Sequence, residues 1–569
     1  MKHWGALALV VLSACRGTLS DEELLRMANA AAAAREGGMA AQDAAAGAAD
    51  RIPVRLDDSG AVRHTKALDG RFDAARMLQV VADLEGLRRE TGNDDYERAI
   101  ELIIARLQSH GFGTQDGLEL QVHSQARTVP SWNARAARLE LLPRAGTKDT
   151  AVTLAAFQSS ADAQRLLLPT NAPSAAVEGP IVTRMEDVVP GSVLVGAEPL
   201  STTRLEEAKA RGAVLVIAAD AAPYTIDPSG QARHMDAIGY RSVRHPAVLP
   251  VAQVSPRMLE QLVKHTGQVR WTAEVTWTER PLRTVIAVVV GDRYPNEEVA
   301  IAAHVQEPGA CDNASGVAGT LEMAAALADL ARDGARPARS VAFVFGDEMD
   351  QSRVHLQTTQ RRVVAAIAAD MLGESHERTG AVALLERAPD PGALRPLPPD
   401  AHTAWGAAEV QESQFASGAL AVAVRQAFYA VAASEAQWQW NEHPFEGGSD
   451  HIVYLKAGVP AVLVWHFPDW TYHTSLDRLD MVDAEELRRS ATTVLVGALV
   501  VADARAKDME GWLRSLRLET SERMRRASEA GDNDLARLWR LHEERAREDV
   551  RRWCLGIEPA PAQSKESSQ

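Results

Sequence analysis

The sequence predicts an α/β protein with a mixed, mostly parallel central sheet flanked by helices. Three observations carry that expectation. Runs of five to eight apolar residues, rich in Val and Ile, recur at Arg283–Gly291, before His304, before Glu348 and before Asp370. Continuous runs of this kind suit strands buried on both faces of a parallel sheet. Segments with apolar residues every three to four positions lie between or beside them. Acids and histidines follow the runs: His304 comes after Val-Ala-Ile-Ala-Ala and Glu348 after Val-Ala-Phe-Val-Phe-Gly-Asp, Asp370 closes Val-Val-Ala-Ala-Ile-Ala-Ala, and His473 lies a few residues past Val-Pro-Ala-Val-Leu-Val-Trp. Ligands collect beyond the carboxyl ends of strands in open α/β sheets. A mixture of imidazole and carboxylate groups there suits a divalent cation with some affinity for nitrogen, zinc first.

The chain begins Met-Lys-His-Trp-Gly-Ala-Leu-Ala-Leu-Val-Val-Leu-Ser-Ala-Cys, a basic start followed by an apolar stretch and small residues. This reads as an export signal over residues 1–15. The stretch is shorter than the roughly 20 residues that span a bilayer. Leu12-Ser13-Ala14-Cys15 resembles a bacterial lipobox, which implies acylation of Cys15, membrane anchoring through it, and a place in the cell envelope. Arg16, where an Asp would signal retention, points to the outer membrane. Residues 16–66 are Ala-rich with scattered charge and read as a tether. Cys311 and Cys554 then remain, too few for a disulfide framework in an exported chain of 569 residues. The net charge of −16 leaves no basic excess for phosphates and argues against nucleic acid as a partner.

Residues 67–177 read as the first part of the main domain. Helical spacing runs through Met77, Val80, Val81, Leu84 and Leu87, breaks at Thr91-Gly92-Asn93-Asp94, and resumes at Ile100, Ile103, Ile104 and Leu107. Residues 178–272 read as an inserted module, with short strands at Pro180–Val182, Ser192–Val195, Ala213–Ala218 and Leu249–Ser255, and a helix over Arg204–Arg211. This order resembles a protease-associated (PA) domain. The main domain resumes over 273–505, and 506–569 form a helical extension and tail. In that extension Leu535, Leu538, Trp539, Ala546, Val550 and Trp553 make one apolar stripe, and Asp532 or Asp534 can cap the helix.

The segment His304-Val-Gln-Glu-Pro-Gly-Ala-Cys-Asp312-Asn-Ala-Ser-Gly316 leads into a helical pattern at Val317, Leu321, Ala324 and Leu327. Asn313 and Ser315 would meet the free N–H groups at its start, with Gly309 and Gly316 permitting backbone excursions. With Glu348, Asp370-Met-Leu-Gly373, Gly448-Ser-Asp-His451 and Tyr472-His-Thr-Ser-Leu-Asp477, these motifs resemble, in order, those of the M28 family of zinc peptidases. The likeness covers roughly residues 72–500.

The resemblance implies that His304, Asp312 and Asp370 hold one Zn2+, that Asp312 bridges to a second held by His473, and that Glu348 is the general base. Two positions depart from the family pattern. Dinuclear members carry consecutive glutamates, base then ligand; with Glu348 as base, Met349 takes the ligand position, where a thioether is a poor partner among oxygen donors. The alternative register makes Asp347 the base and Glu348 the ligand. Asp350 could also supply the missing carboxylate. Gln306 stands where many relatives have an Asp that orients the imidazole, a role Gln can take without the charge. One or two ions per chain are therefore open, and Cys311 reads as a small buried side chain. The implied activity is an exopeptidase on peptide substrates, an aminopeptidase first. A carboxypeptidase, a glutaminyl cyclase-like transferase and a non-catalytic receptor-like homologue are the alternatives.

Overall fold

The computed structural model describes residues 52, 54–55, 60–143, 150–220, 234–394, 410–435 and 438–556. The expected signal and most of the tether lie outside them. In chain order the strands are β1 (Leu118–Gln125), β2 (Ser131–Leu141), β3 (Val152–Phe157), β4 (Ala175–Val182), β5 (Val193–Gly196), β6 (Leu215–Ala218), β7 (Val251–Gln253) and β8 (Gln268–Thr278). They continue with β9 (Leu282–Val289), β10 (Tyr294–His304), β11 (Arg339–Gly346), β12 (Arg362–Ala369), β13 (Val382–Glu386), β14 (Trp440–His443) and β15 (Ala461–Phe467).

Eight of these form one sheet in the order β1-β9-β11-β10-β12-β15-β13-β14. Its centre, β11-β10-β12-β15, is parallel throughout, while β1, β9 and β13 pair antiparallel. Alternate residues of the central strands serve two layers, as strands buried on both faces require. Val299, Ile301, Ala303, Phe343, Phe345 and Ile367 pack under the helices Ala74–Glu85, Ala314–Arg332 and Ala484–Ala502. Ala300, Ala302, Ala342, Val344 and Ala366 face Tyr454, with Leu356 against the same cluster. The parallel strands place His304, Gly346 and Ala369 at one edge, and the site stands on that edge.

The other seven strands form a second sheet, β3-β2-β8-β4-β5-β6-β7, with its own core around Leu139, Val195, Ile217 and Trp271. Its extent corrects the expected boundaries: β2 pairs with β8 from Ser131↔Thr278 to Leu141↔Val269, so the second unit begins at β2 and not at residue 178, and it ends with β8 at Thr278 and not at residue 272. The alternation of buried and exposed residues in β2 fits a sheet with one wet face, a signal that does not tell which sheet a strand joins.

One further difference appears at the start of the main domain, whereas the C-terminal extension is helical as expected. The last residues of the expected tether fold as the helix Ala61–Ala67, with Ala61 and His64 buried. The extension forms the helices Met509–Glu529 and Asn533–Leu555, the second capped by Asp532 accepting from the Leu535 N–H. Trp512 and Trp553 meet edge to face at 5.5 Å, and Arg339 Nη2 donates to the Trp553 carbonyl, fastening the extension to β11. No helix among the described residues is long and apolar enough to cross a membrane.

Candidate metal centre

His304 is the last residue of β10 and 2 % exposed, Asp370 follows β12 directly, and Glu348 stands two residues beyond β11. Three parallel neighbours therefore deliver an imidazole and two carboxylates to one point, with ligand atoms of His304, Glu348 and Asp370 all within 4.8 Å of one another. Asp312 arrives from the loop before the helix Ala314–Arg332. Its Oδ1 lies 3.1 Å from His304 Nε2 and its Oδ2 3.1 Å from His473 Nε2. One carboxylate thus faces two imidazoles, one with each oxygen. His473 has φ 53, a left-handed conformation that turns the loop after β15 back over the site.

Asn313 explains how these pieces hold together. Its Oδ1 caps the helix by accepting from Gly316 N–H at 3.0 Å and also accepts from Met371 N–H at 3.0 Å. Its Nδ2 donates to the carbonyls of His304 and Ala369, both at 3.3 Å, so a single amide fastens the ends of β10 and β12 to the helix start. Ser315 Oγ donates to the Cys311 carbonyl and accepts from Leu372 N–H, which completes the clasp. Gly316 is needed here for close approach: a Cβ on it would stand 2.1 Å from Asn313 Oδ1 and 2.4 Å from the Ala369 carbonyl. The same holds at Gly309, where a Cβ would stand 1.9 Å from Asp477 Oδ2. Neither has positive φ, so the expected backbone excursion is not their reason. Asp477 holds the loop from behind by accepting from the N–H groups of Cys311 and Asp312.

The expected role of Gln306 needs correction. Its side chain turns to Glu348, donating to Oε2 at 3.4 Å and accepting from the Glu348 N–H at 2.5 Å, and does not reach His304. The neighbours of His304 Nδ1 are Asn313 Nδ2 at 3.3 Å and Asp450 Oδ2 at 3.9 Å. Asp450 also accepts from Met349 N–H, Gln351 Nε2 and Ser352 Oγ, tying the turn after β11 to the segment Gly448–His451. The adjacent Ser449 donates to Asp370 Oδ2 at 2.8 Å. In the same turn Asp347 is directed elsewhere, toward Thr91 and Arg127, and burial pushes its carboxyl up to about 7. Three other histidines are held by hydrogen bonds apart from this cluster: His355 meets Glu298 and Tyr454, His451 meets Glu386, and His466 meets Glu486. Cys311 is fully buried, and burial with the neighbouring Asp477, Glu374 and Asp469 keeps its thiol protonated.

Sequence reasoning passed over two residues of the centre. Glu307 lies three residues after His304, and its Oε2 is 3.0 Å from His473 Nε2. Tyr240, from the second unit, donates its N–H to the His473 carbonyl at 2.7 Å and sets its ring edge-on to the imidazole at 5.6 Å. Ile238 and Ser475 exchange two further hydrogen bonds beside it. Spacing from His304 could have flagged Glu307; nothing local could have flagged Tyr240.

The electrostatics show what this cluster lacks. Burial opposes a charged His473, yet Glu307 and Asp312 raise its pKa to about 10. His304 is likewise held well above its usual value against burial, by Asp370, Asp312 and Glu348. Burial and the charge of Asp312 push Glu307 up to about 8, and burial with Asp312 pushes Asp370 up to about 6. Asp370 Oδ1 is buried with no hydrogen-bond partner. Four acids and two imidazoles around an unpartnered carboxylate oxygen need positive charge, and a divalent cation supplies it. The spacing fits as well. Two donors each about 2.0–2.1 Å from one tetrahedral zinc stand roughly 3.3 Å apart, close to the 3.0–3.1 Å separations found here.

Residues 284–498 match peptidase family M28. The matched stretch contains His304, Asp312, Glu348, Asp370 and His473. The fold agrees: a peptidase M28 precursor from Shewanella amazonensis superposes with a TM-score of 0.50 at 18% identity, over 79% of this chain and 98% of that one. A peptidase from Clostridium acetobutylicum, described as putative, gives 0.50 at 13% identity, over 78% and 83%. The zinc aminopeptidase BSAP from Bacillus subtilis gives 0.47 at 15% identity, over 75% and 94%. None of the curated proteins matches the chain by sequence.

Proposed function

We propose that this protein is a zinc-dependent exopeptidase, an aminopeptidase by preference, acting on peptides in the bacterial cell envelope. The observation that carries the reading is Asp312, one carboxylate with each oxygen 3.1 Å from a different imidazole, beside Glu348 and Asp370 at the ends of parallel strands. His304, Asp312 and Asp370 would hold one ion, and His473 with Asp312 would face a second. When bound, zinc polarises the scissile carbonyl and lowers the pKa of an attacking water.

Glu348 is the proton carrier. It takes the proton from the attacking water and returns it to the departing amine. Burial, with Glu307, Asp450 and Asp370 around it, raises its pKa well above the usual carboxylate range while His304 opposes the shift. A raised pKa suits a carboxylate that must take up a proton and pass it on. Gln306 holds it in place from two sides through backbone and side chain. Glu348→Gln should retain its zinc and lose turnover by roughly 10²–10⁴-fold; full activity in that variant would remove Glu348 from the role.

The free amine of a substrate selects the amino-terminal direction, and the acidic His473 side supports it. Release of residues from free but not N-blocked peptides checks this; the opposite pattern would make the enzyme a carboxypeptidase. Cyclisation of an N-terminal Gln would make it a transferase. Leu12-Ser13-Ala14-Cys15 supports anchoring through lipidated Cys15. Labelled palmitate should enter the wild type and not Cys15→Ser, and equal labelling would refute the anchor. The second unit we read as PA-like, from the strand and helix order of residues 178–272.

A further inference from the structure

We propose that Glu307 is the carboxylate ligand that closes the second metal site with Asp312 and His473, taking over from the position that Met349 occupies. This rests on the zinc-peptidase reading above and adds a ligand at a place where the motif order has none.

The turn after β11 leaves the His473 side unserved. Glu348 falls with His304 and Asp370, on the other side of Asp312. Met349 has φ 66, its N–H is engaged by Asp450, and its thioether is a poor donor for zinc among oxygens. Asp350 begins the next helix and pairs with Arg353. Neither alternative weighed from sequence brings a carboxylate to His473.

Glu307 does. Its Oε2 lies 3.0 Å from His473 Nε2, and Asp312 Oδ2 lies 3.1 Å from the same nitrogen. A ligand atom of Glu307 also falls within 4.8 Å of both Asp312 and His304. Two carboxylates and an imidazole so spaced match three of the four positions around a tetrahedral zinc, the fourth being open to water or substrate.

The backbone is fixed to put it there. Glu307 has φ 86, a left-handed conformation uncommon for any residue but glycine and costly enough to need support. Two arginines, each no more than 3 % exposed, supply that support. Arg89 donates to the carbonyls of Val305 and Gly309 on either side, Arg165 to that of Pro308, and the Glu307 N–H donates to the Arg89 carbonyl. All these bonds grip main chain, so the carboxylate remains directed at Asp312 and His473.

The test is zinc content by elemental analysis with calorimetric zinc titration of the metal-free full chain, for wild type and Glu307→Gln. Two equivalents in the wild type and one in Glu307→Gln, the second site weakened by roughly 100-fold or more, are expected. Two equivalents in both proteins would overturn the assignment. One in both would also overturn it while leaving the zinc-peptidase reading intact, and none in the wild type would overturn both. Should Glu307→Gln fail to fold, a zinc-edge anomalous map of wild-type crystals decides: a second peak bonded to Glu307 and His473 supports the assignment, and a second peak without Glu307, or a single peak, overturns it.

Discussion

On the His304 side of the centre every group leaves a strand end, whereas on the His473 side every group leaves a loop. His304, Glu348 and Asp370 stand zero, two and one residues past β10, β11 and β12. Glu307, Asp312 and His473 stand three and eight residues past β10 and six past β15, in segments that take left-handed turns at Glu307 and His473. Hydrogen bonds of the ladder place the first group. The second depends on buried arginines, on Asp477, and on the second unit through Tyr240. A strand end positions one ligand at little cost, while a loop ligand needs a dedicated partner for each turn.

That contrast can be broken or sharpened by substitution. Asp312 belongs to both sides, so Asp312→Ala should abolish zinc binding at both sites and remove activity by roughly 10³-fold or more; retention of either ion, read by elemental analysis, would show the halves to be independent. Ser449→Ala strips the hydrogen bond from Asp370 alone and should weaken zinc on the strand side by roughly 10–100-fold, with the other equivalent unchanged in a titration. Tyr240→Phe removes only the hydroxyl that donates to Glu90 at 2.9 Å. It should weaken the loop side by roughly tenfold at most, because the backbone bond to His473 persists; an equal loss on both sides would argue against the division.

A last prediction concerns the extension, away from both halves. Glu519 is buried against Arg425 and Arg523, and although burial opposes it these arginines hold its carboxyl down to about 2 from an ordinary 4.5. A folded-state pKa below the unfolded one gives stability that is present above about pH 4.5 and lost as the pH falls toward 2. Thermal unfolding of wild type and Glu519→Gln followed over that window should show a steeper decline in the wild type, and parallel curves would rule the pair out as its source.

Legibility in the sequence follows the same division. The strands β9 to β12 and β15, the helices Ala74–Glu85 and Asp94–Ser109, and the residues His304, Glu348 and Asp370 were readable because buried runs have fixed period and a fixed end. Asp312 was readable through the helix it precedes and the Asn313 cap. Glu307 was hidden because its use depends on a left-handed turn that Arg89 and Arg165 stabilise from far away in the chain. The part played by Gln306 was misjudged since side-chain direction after a strand end is set by the turn, not by the spacing. The start of the second sheet at Ser131 was missed because an amphipathic strand carries no label for its partner.

Gly239 bridges to Thr474, and Ile238 and Ser475 exchange hydrogen bonds, so the seam between the two units also fixes the loop that carries His473. A molecule that wedged the smaller lobe away from the larger would drag His473 out of register without competing for the substrate's own space. Inhibition by such a wedge would be noncompetitive, which opens a route to selective blockers that need no metal-chelating group.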